Sequence, residues 1–114
     1  NFDMCLMGVI WVRLDIRLKT GFFETKEYEL LISRDRLVLS STEAESDRIA
    51  IQAKDILSIT LKNEKAPGIE IQTREKIYQG SFVEKTDFEQ LIGLLKKNLN
   101  VKIICEYEGG KDYA

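Results

Sequence analysis

The residues that could do chemistry are few, and one type is missing: the 114-residue chain contains no histidine. The commonest general base, nucleophile activator and zinc ligand is therefore absent. No Ser–His or Cys–His pair can be assembled, and the chain is expected not to be an enzyme. The two cysteines, Cys5 and Cys105, stand near opposite ends without a Cys-x-x-Cys spacing, so neither a zinc knuckle nor a thioredoxin-type motif can be built. They are expected to be reduced, mostly buried thiols, and their placement leaves a Cys5–Cys105 disulfide as the alternative. Glu43, Glu45 and Asp47 alternate in a polar stretch, but the turn glycine and ligand order of a calcium loop are missing. A solvated acidic loop is the expectation. No glycine-rich phosphate cradle occurs either, so no metal, nucleotide or other cofactor is expected.

What remains is recognition chemistry. Arg17, Lys19 and Lys26 form the candidate cluster for an anionic ligand. Seventeen basic against 19 acidic residues leave a net charge of -2, without the basic surplus on which nucleic-acid binding rests, and no nucleic-acid partner is expected. Phe22 and Phe23 follow Lys19 closely. A pair of aromatics beside cations could touch a membrane, but core packing at a strand start is the expected role.

The elements that must position these residues read mostly with period two. Val12, Leu14, Ile16 and Leu18 alternate with Arg13, Asp15, Arg17 and Lys19, a strand with one buried face. Tyr28, Leu30 and Ile32 form the next inward face, and Arg34-Asp35 turns the chain into Leu37 and Leu39. Short strands follow around Ile49 and Ile51, Leu57 to Leu61, Ile69 and Ile71, and residues 77–83. Seven strands over residues 9–83 leave no room for crossover helices and predict an antiparallel meander. The period then changes. Thr86-Asp87-Phe88-Glu89 reads as a capping box with Thr86 as the cap. Phe88, Leu91, Ile92, Leu95 and Leu99 make one apolar stripe of a helix over 86–99, to be closed by Asn98 or Asn100 in a left-handed conformation. Gly93 inside it is either a close-packing point or a plain exposed glycine. Val101, Ile103, Cys105 and Tyr107 alternate as one more strand, and Gly109-Gly110 opens a polar tail.

A sheet with one apolar face must bury it. The fold class is therefore mainly β (α+β): a seven-stranded antiparallel barrel capped by one C-terminal amphipathic helix, plus an extra C-terminal strand. An open sheet with the helix lying across it is the second solution. Two patches carry a family resemblance. Residues 28–39, with Ser33-Arg34-Asp35-Arg36-Leu37 at their turn, look like the second and third strands of pleckstrin-homology (PH)-like domains, and of the bacterial PH and GRAM-like branches in particular. Residues 49–59, with Asp55-Ile56 at their turn, look like the fourth and fifth. The order of elements matches over roughly residues 9–99, so 1–8 is an N-terminal extension, 9–100 the PH-like domain and 101–114 a C-terminal strand and tail. The resemblance implies a lipid-binding reading, because phosphoinositide-binding PH domains carry Lys-x(n)-Lys/Arg-x-Arg across the first two strands. Here Tyr28 stands two residues after Lys26, where that pattern needs Arg, and the loop with Glu43, Glu45 and Asp47 would repel inositol phosphates.

The expected function is therefore a non-catalytic module for protein–protein interaction or self-association, with peripheral membrane or lipid binding as the alternative. The candidate interaction residues lie at the two ends. Met7, Val9 and Trp11 share the outward parity of the first strand, which is apolar on both faces at its start and needs cover on both. Ile103, Cys105 and Tyr107 of the C-terminal strand are expected to supply that cover by pairing with the N-terminal strand, within one chain or between two, giving a homo-oligomer in the second case. No apolar run approaches the ~20 residues of a membrane-spanning helix, no signal-like segment is seen, and a cytoplasmic location is expected.

Overall fold

The computed structural model describes residues 3–4, 12–43 and 46–113. Cys5, Met7, Val9 and Trp11 lie outside the described residues, and so does Glu45. The elements run β1 (Asp3–Met4), β2 (Val12–Lys19), β3 (Thr25–Ser33), β4 (Arg36–Ser41), β5 (Arg48–Gln52), a 3-10 turn (Ala53–Asp55), β6 (Ile56–Asn63), β7 (Gly68–Thr73), β8 (Ile77–Phe82), α1 (Phe88–Leu99), β9 (Ile103–Tyr107) and β10 (Gly110–Tyr113). Strands β2 to β8 are the seven that the periodicity predicts. All strands belong to one sheet, in the order β10-β9-β6-β7-β8-β2-β3-β4-β5, with β1 beside β2.

Alternation decides which face turns inward. In β2 every second residue is buried, and Leu14 and Ile16 lie opposite Leu30 and Tyr28 of β3. Leu30, Leu37, Leu39, Ile59, Leu61, Ile69 and Ile71 continue that face into one core. The sheet coils around this core through a close approach at Gly68, where a Cβ would stand 2.8 Å from the Gly80 carbonyl oxygen. Beyond it β8 reaches β2 over the three pairs Ile16–Phe82, Arg17–Ser81 and Leu18–Gly80.

The barrel does not close. Strands β5 and β6 follow one another in sequence yet share no ladder, so β5 ends the sheet on one side and β10 on the other. The 3-10 turn bridges the seam, and the Asp55 carbonyl accepts from the Arg74 N–H at 3.2 Å. A cavity of about 190 Å³ remains there, lined by Ala50, Ile51, Asp55, Arg74 and Tyr78 among others.

Helix α1 covers the core with Leu91, Leu95 and Leu99, all buried. Phe88 and Ile92, expected to be buried with them, are only half-buried, because they lie at the margin of the stripe. The cap is Asp87, not Thr86: the Asp87 carboxylate accepts from the Gln90 N–H at 3.2 Å, while the Thr86 hydroxyl turns back to donate to the Glu84 carbonyl at 3.0 Å. Asn100 ends the helix at φ 52°, as its type predicts, and its N–H bonds to the Lys96 carbonyl. Gly93 is exposed with no atom near the position of a Cβ, so it is not a packing point. The helix end is tied to the sheet by the Asp35 N–H, which donates to the Asn98 carbonyl at 2.9 Å.

The C-terminal strand corrects the expected pairing. β9 runs parallel to β6, from Ile59–Ile103 to Asn63–Tyr107, and does not pair with the N-terminal strand. Only three residues separate α1 from β9, and a bond that brings the chain back into the sheet is already made there: the Ile59 N–H donates to the Lys102 carbonyl at 2.9 Å, beside the free edge of β6. Gly109, at φ 106°, then turns the expected tail into β10, antiparallel to β9.

Candidate interaction surface

The candidate residues separate into two groups. At the C-terminus, Ile103 is wholly buried in the core. It cannot meet a partner, and its assignment as an interaction residue is overturned by the inward parity it shares with Ile59 and Leu61. Cys105 has the same parity and is half-buried. Its thiol is pushed up from the ordinary value by burial first and by the Asp112 carboxylate second, with Lys96 opposing. Such a thiol is a poorer thiolate source near neutral pH than a free cysteine. Tyr107 remains 43% exposed at the strand end. Met7, Val9 and Trp11 lie outside the described residues.

The second group converges. β2 and β3 are joined by residues 20–24, pinned where the Thr20 N–H donates to the Glu24 carbonyl at 3.0 Å. The loop projects past the sheet, and its tip carries Phe22 and Phe23 into solvent, 84% and 93% exposed. This corrects the expected core packing: among the described residues no element lies beyond the sheet end to receive them. Their rings meet edge to face with centroids 4.8 Å apart, so each covers part of the other while both stay wet.

Behind the tip, on the outer face, lies an open groove of about 400 Å³ whose lining includes Arg17, Lys19, Phe22, Phe23, Lys62 and Ser81. Register explains the gathering. Arg17 stands opposite Ser81, Ser81 opposite Gly68 and Gly68 opposite Lys62, one row across β2, β8, β7 and β6. Lys62, which the sequence did not single out, enters because the coiling at Gly68 brings β6 towards β2. Its ammonium also pairs with Glu70 at 3.3 Å. Lys26 does not join the cluster. It pairs with Leu18 in the ladder and so takes the opposite face from Arg17 and Lys19.

The acidic stretch stands on the neighbouring side of the same end. The Thr42 N–H and hydroxyl both point to the Glu27 carbonyl, at 3.3 and 3.4 Å, and Asp15, Glu27 and Thr42 share a small cleft. Carboxylates thus border the cations directly: Glu24 lines the groove itself, and Glu27 stands opposite Arg17 in the β2–β3 ladder. Among the described residues no group of three His, Cys, Asp or Glu side chains could hold a metal ion, and no helix is long and apolar enough to cross a membrane.

No family model matches the chain, and no curated protein matches it. Solved structures do: 13 chains match. One belongs to the structure of the Spt16D–Pob3N heterodimer, with a TM-score of 0.66 and 13% identity, covering 92% of this chain and 56% of that one. The fold is PH-like. This chain spans little more than half of that neighbour's length, and at such identity the likeness concerns the fold alone.

Proposed function

We propose that this PH-like domain is a non-catalytic interaction module that binds a protein partner through the groove behind Phe22 and Phe23. The observation that carries the reading is the exposure of two adjacent phenylalanines beside Arg17, Lys19 and Lys62. Covering a phenylalanine side chain is worth about 1.5–3 kcal/mol, so leaving two in water is costly unless a partner covers them. The cations at the groove floor favour a segment with apolar residues flanked by carboxylates. That the structural neighbour is a chain of a heterodimer agrees with a protein partner. The resemblance of residues 28–39 and 49–59 to bacterial PH and GRAM-like domains supports a closer kinship with those branches. The absence of histidine supports a non-enzymatic role, and the low cysteine count supports a reducing, cytoplasmic setting.

The second reading is an anionic membrane surface, favoured by the same aromatic tip and cations. Against it stand the net charge of -2 and the carboxylates of Glu43 and Asp47 at the same end. A peptide-display selection against the whole chain, run beside sedimentation with phosphatidylserine-containing vesicles, separates the two. The protein reading expects enriched acidic-apolar peptides whose binding is lost in the F22S/F23S double variant and in R17E, with vesicles left unbound. Vesicle binding that depends on Phe22 and Phe23, with no groove-dependent peptide, would replace it by the lipid reading.

A further inference from the structure

The free edge of β5 has a second recognition chemistry, independent of the groove. The β4–β5 ladder is fixed at both ends by hydrogen bonds, Ala53 N–H to the Asp35 carbonyl at 2.9 Å and Ser41 N–H to the Asp47 carbonyl at 3.1 Å. Bonded and non-bonded pairs alternate in an antiparallel ladder. Residues 47, 49, 51 and 53 therefore spend their backbone groups on β4 and its turn. The N–H and C=O groups of Arg48, Ala50 and Gln52 point away from β4 on the side of the open seam, where Ala50 borders the cavity it shares with Arg74 and Tyr78, and among the described residues no strand pairs with them. All three residues are exposed.

We propose that this edge pairs with the same edge of a second copy, antiparallel about a two-fold axis through Ala50. The sequence is self-complementary in that register. Ala50 meets Ala50, the smallest side chain with a Cβ; Arg48 meets Gln52; and Ile49 meets Ile51 on the inner face, giving the half-buried Ile49 apolar cover. On the outer face an apolar row runs through Leu31, Val38 and Ala50, one residue from each of β3, β4 and β5. Val38 is buried although it faces outward, and the row breaks off at the exposed Ala50. A second copy continues it as Ala50, Val38 and Leu31 of the neighbour. Charges agree as well: the axis carries the exposed Lys54 of each copy towards Asp47 of the other.

The opposite edge lacks this fit. A two-fold axis centred on β10 sets Lys111 against Lys111 or Asp112 against Asp112, like charges that guard an edge against pairing. Three outward-facing positions per chain give about six inter-chain hydrogen bonds. So short an edge makes a weak dimer, with a dissociation constant on the order of 100 μM.

Sedimentation across a concentration series, with amide hydrogen exchange, tests the pairing on the full chain. The mass is expected to rise from 13.2 kDa towards twice that value. Exchange at Arg48, Ala50 and Gln52 is expected to slow with concentration, while Ile49 and Ile51, already bonded to β4, stay constant. Ala50→Pro removes the donor on the axis, and Ala50→Lys sets two like charges there; each is expected to weaken association at least tenfold. Ala50→Lys changes an exposed side chain and keeps the melting temperature, so it decides the matter even where Ala50→Pro unfolds. A chain that stays at 13.2 kDa into the millimolar range overturns the proposal. So does a dimer that Ala50→Lys leaves intact, or one whose concentration-dependent protection falls on β10.

Discussion

The same substitution at two glycines should have opposite effects. Gly68 is buried where β7 passes β8, and a Cβ added there would lie 2.8 Å from the Gly80 carbonyl oxygen. Ordinary contacts of this kind begin near 3.4 Å. The atom in the way is backbone, held in the Ile69–Gly80 pairing, so it cannot swing aside as a side-chain end would. The two strands must separate by roughly half an ångström, and overpacking of that sort costs about 1–3 kcal/mol. Gly93 lies on the exposed face of α1 with open space around it. Alanine there should stabilise by about 1 kcal/mol, the ordinary difference in helix propensity. Urea unfolding followed by circular dichroism reads both. With a slope of about 1–3 kcal/mol per molar, Gly68→Ala should lower the midpoint by about 1 M and Gly93→Ala should raise it by about half that. A Gly68→Ala midpoint at or above wild type would refute the close-approach argument. A lower Gly93→Ala midpoint would show that the helix face is packed after all.

Three further outcomes follow from the packing and the thiol. Leu95→Ala should cost about 2–5 kcal/mol in the same assay, and Ile92→Ala clearly less, because Leu95 is wholly buried and Ile92 is not. Asp87→Ala should cost about 0.5–2 kcal/mol, whereas Thr86→Ala should stay within a few tenths, the reverse of what a Thr86 cap would give. In a Cys5→Ser background, Cys105 should alkylate slowly near neutral pH and speed up as pH rises, since its thiol titrates above the ordinary value. Asp112→Asn should accelerate alkylation by removing the charge that disfavours the thiolate, and Lys96→Gln should slow it, both read as rate against pH.

Strands β2 to β9 and the helix were legible because each rests on local periodicity, whereas β10 read as a polar tail. The alternation from Val12 to Lys19, the Arg34-Asp35 turn, the apolar stripe from Leu91 to Leu99 and the Asn100 stop each need only neighbouring residues to declare them. The helix cap was legible to within one residue: Thr86 and Asp87 are both good caps, and only the geometry of the entering chain selects between them. The site was half legible. Arg17 and Lys19 share a parity visible in the sequence, but Lys62 joins them through the close approach of β7 and β8, a contact between segments far apart in the chain. Lys26 falls away because the register of β2 against β3 gives it the other face, and register belongs to a pair of strands rather than to either one.

Three features were decided by the tertiary structure alone. The exposure of Phe22 and Phe23 depends on whether any element lies beyond the sheet end, and aromatic residues at a strand start read the same in both cases. The placement of β9 beside β6 is a pairing of segments about forty residues apart, and an apolar alternating segment pairs equally well with any free edge. The open seam at β5 depends on the total coil of the sheet, a sum over all its strands. Sequence patterning specifies which face of a segment is buried; which other segment buries it is set by the long-range geometry that all the segments build together.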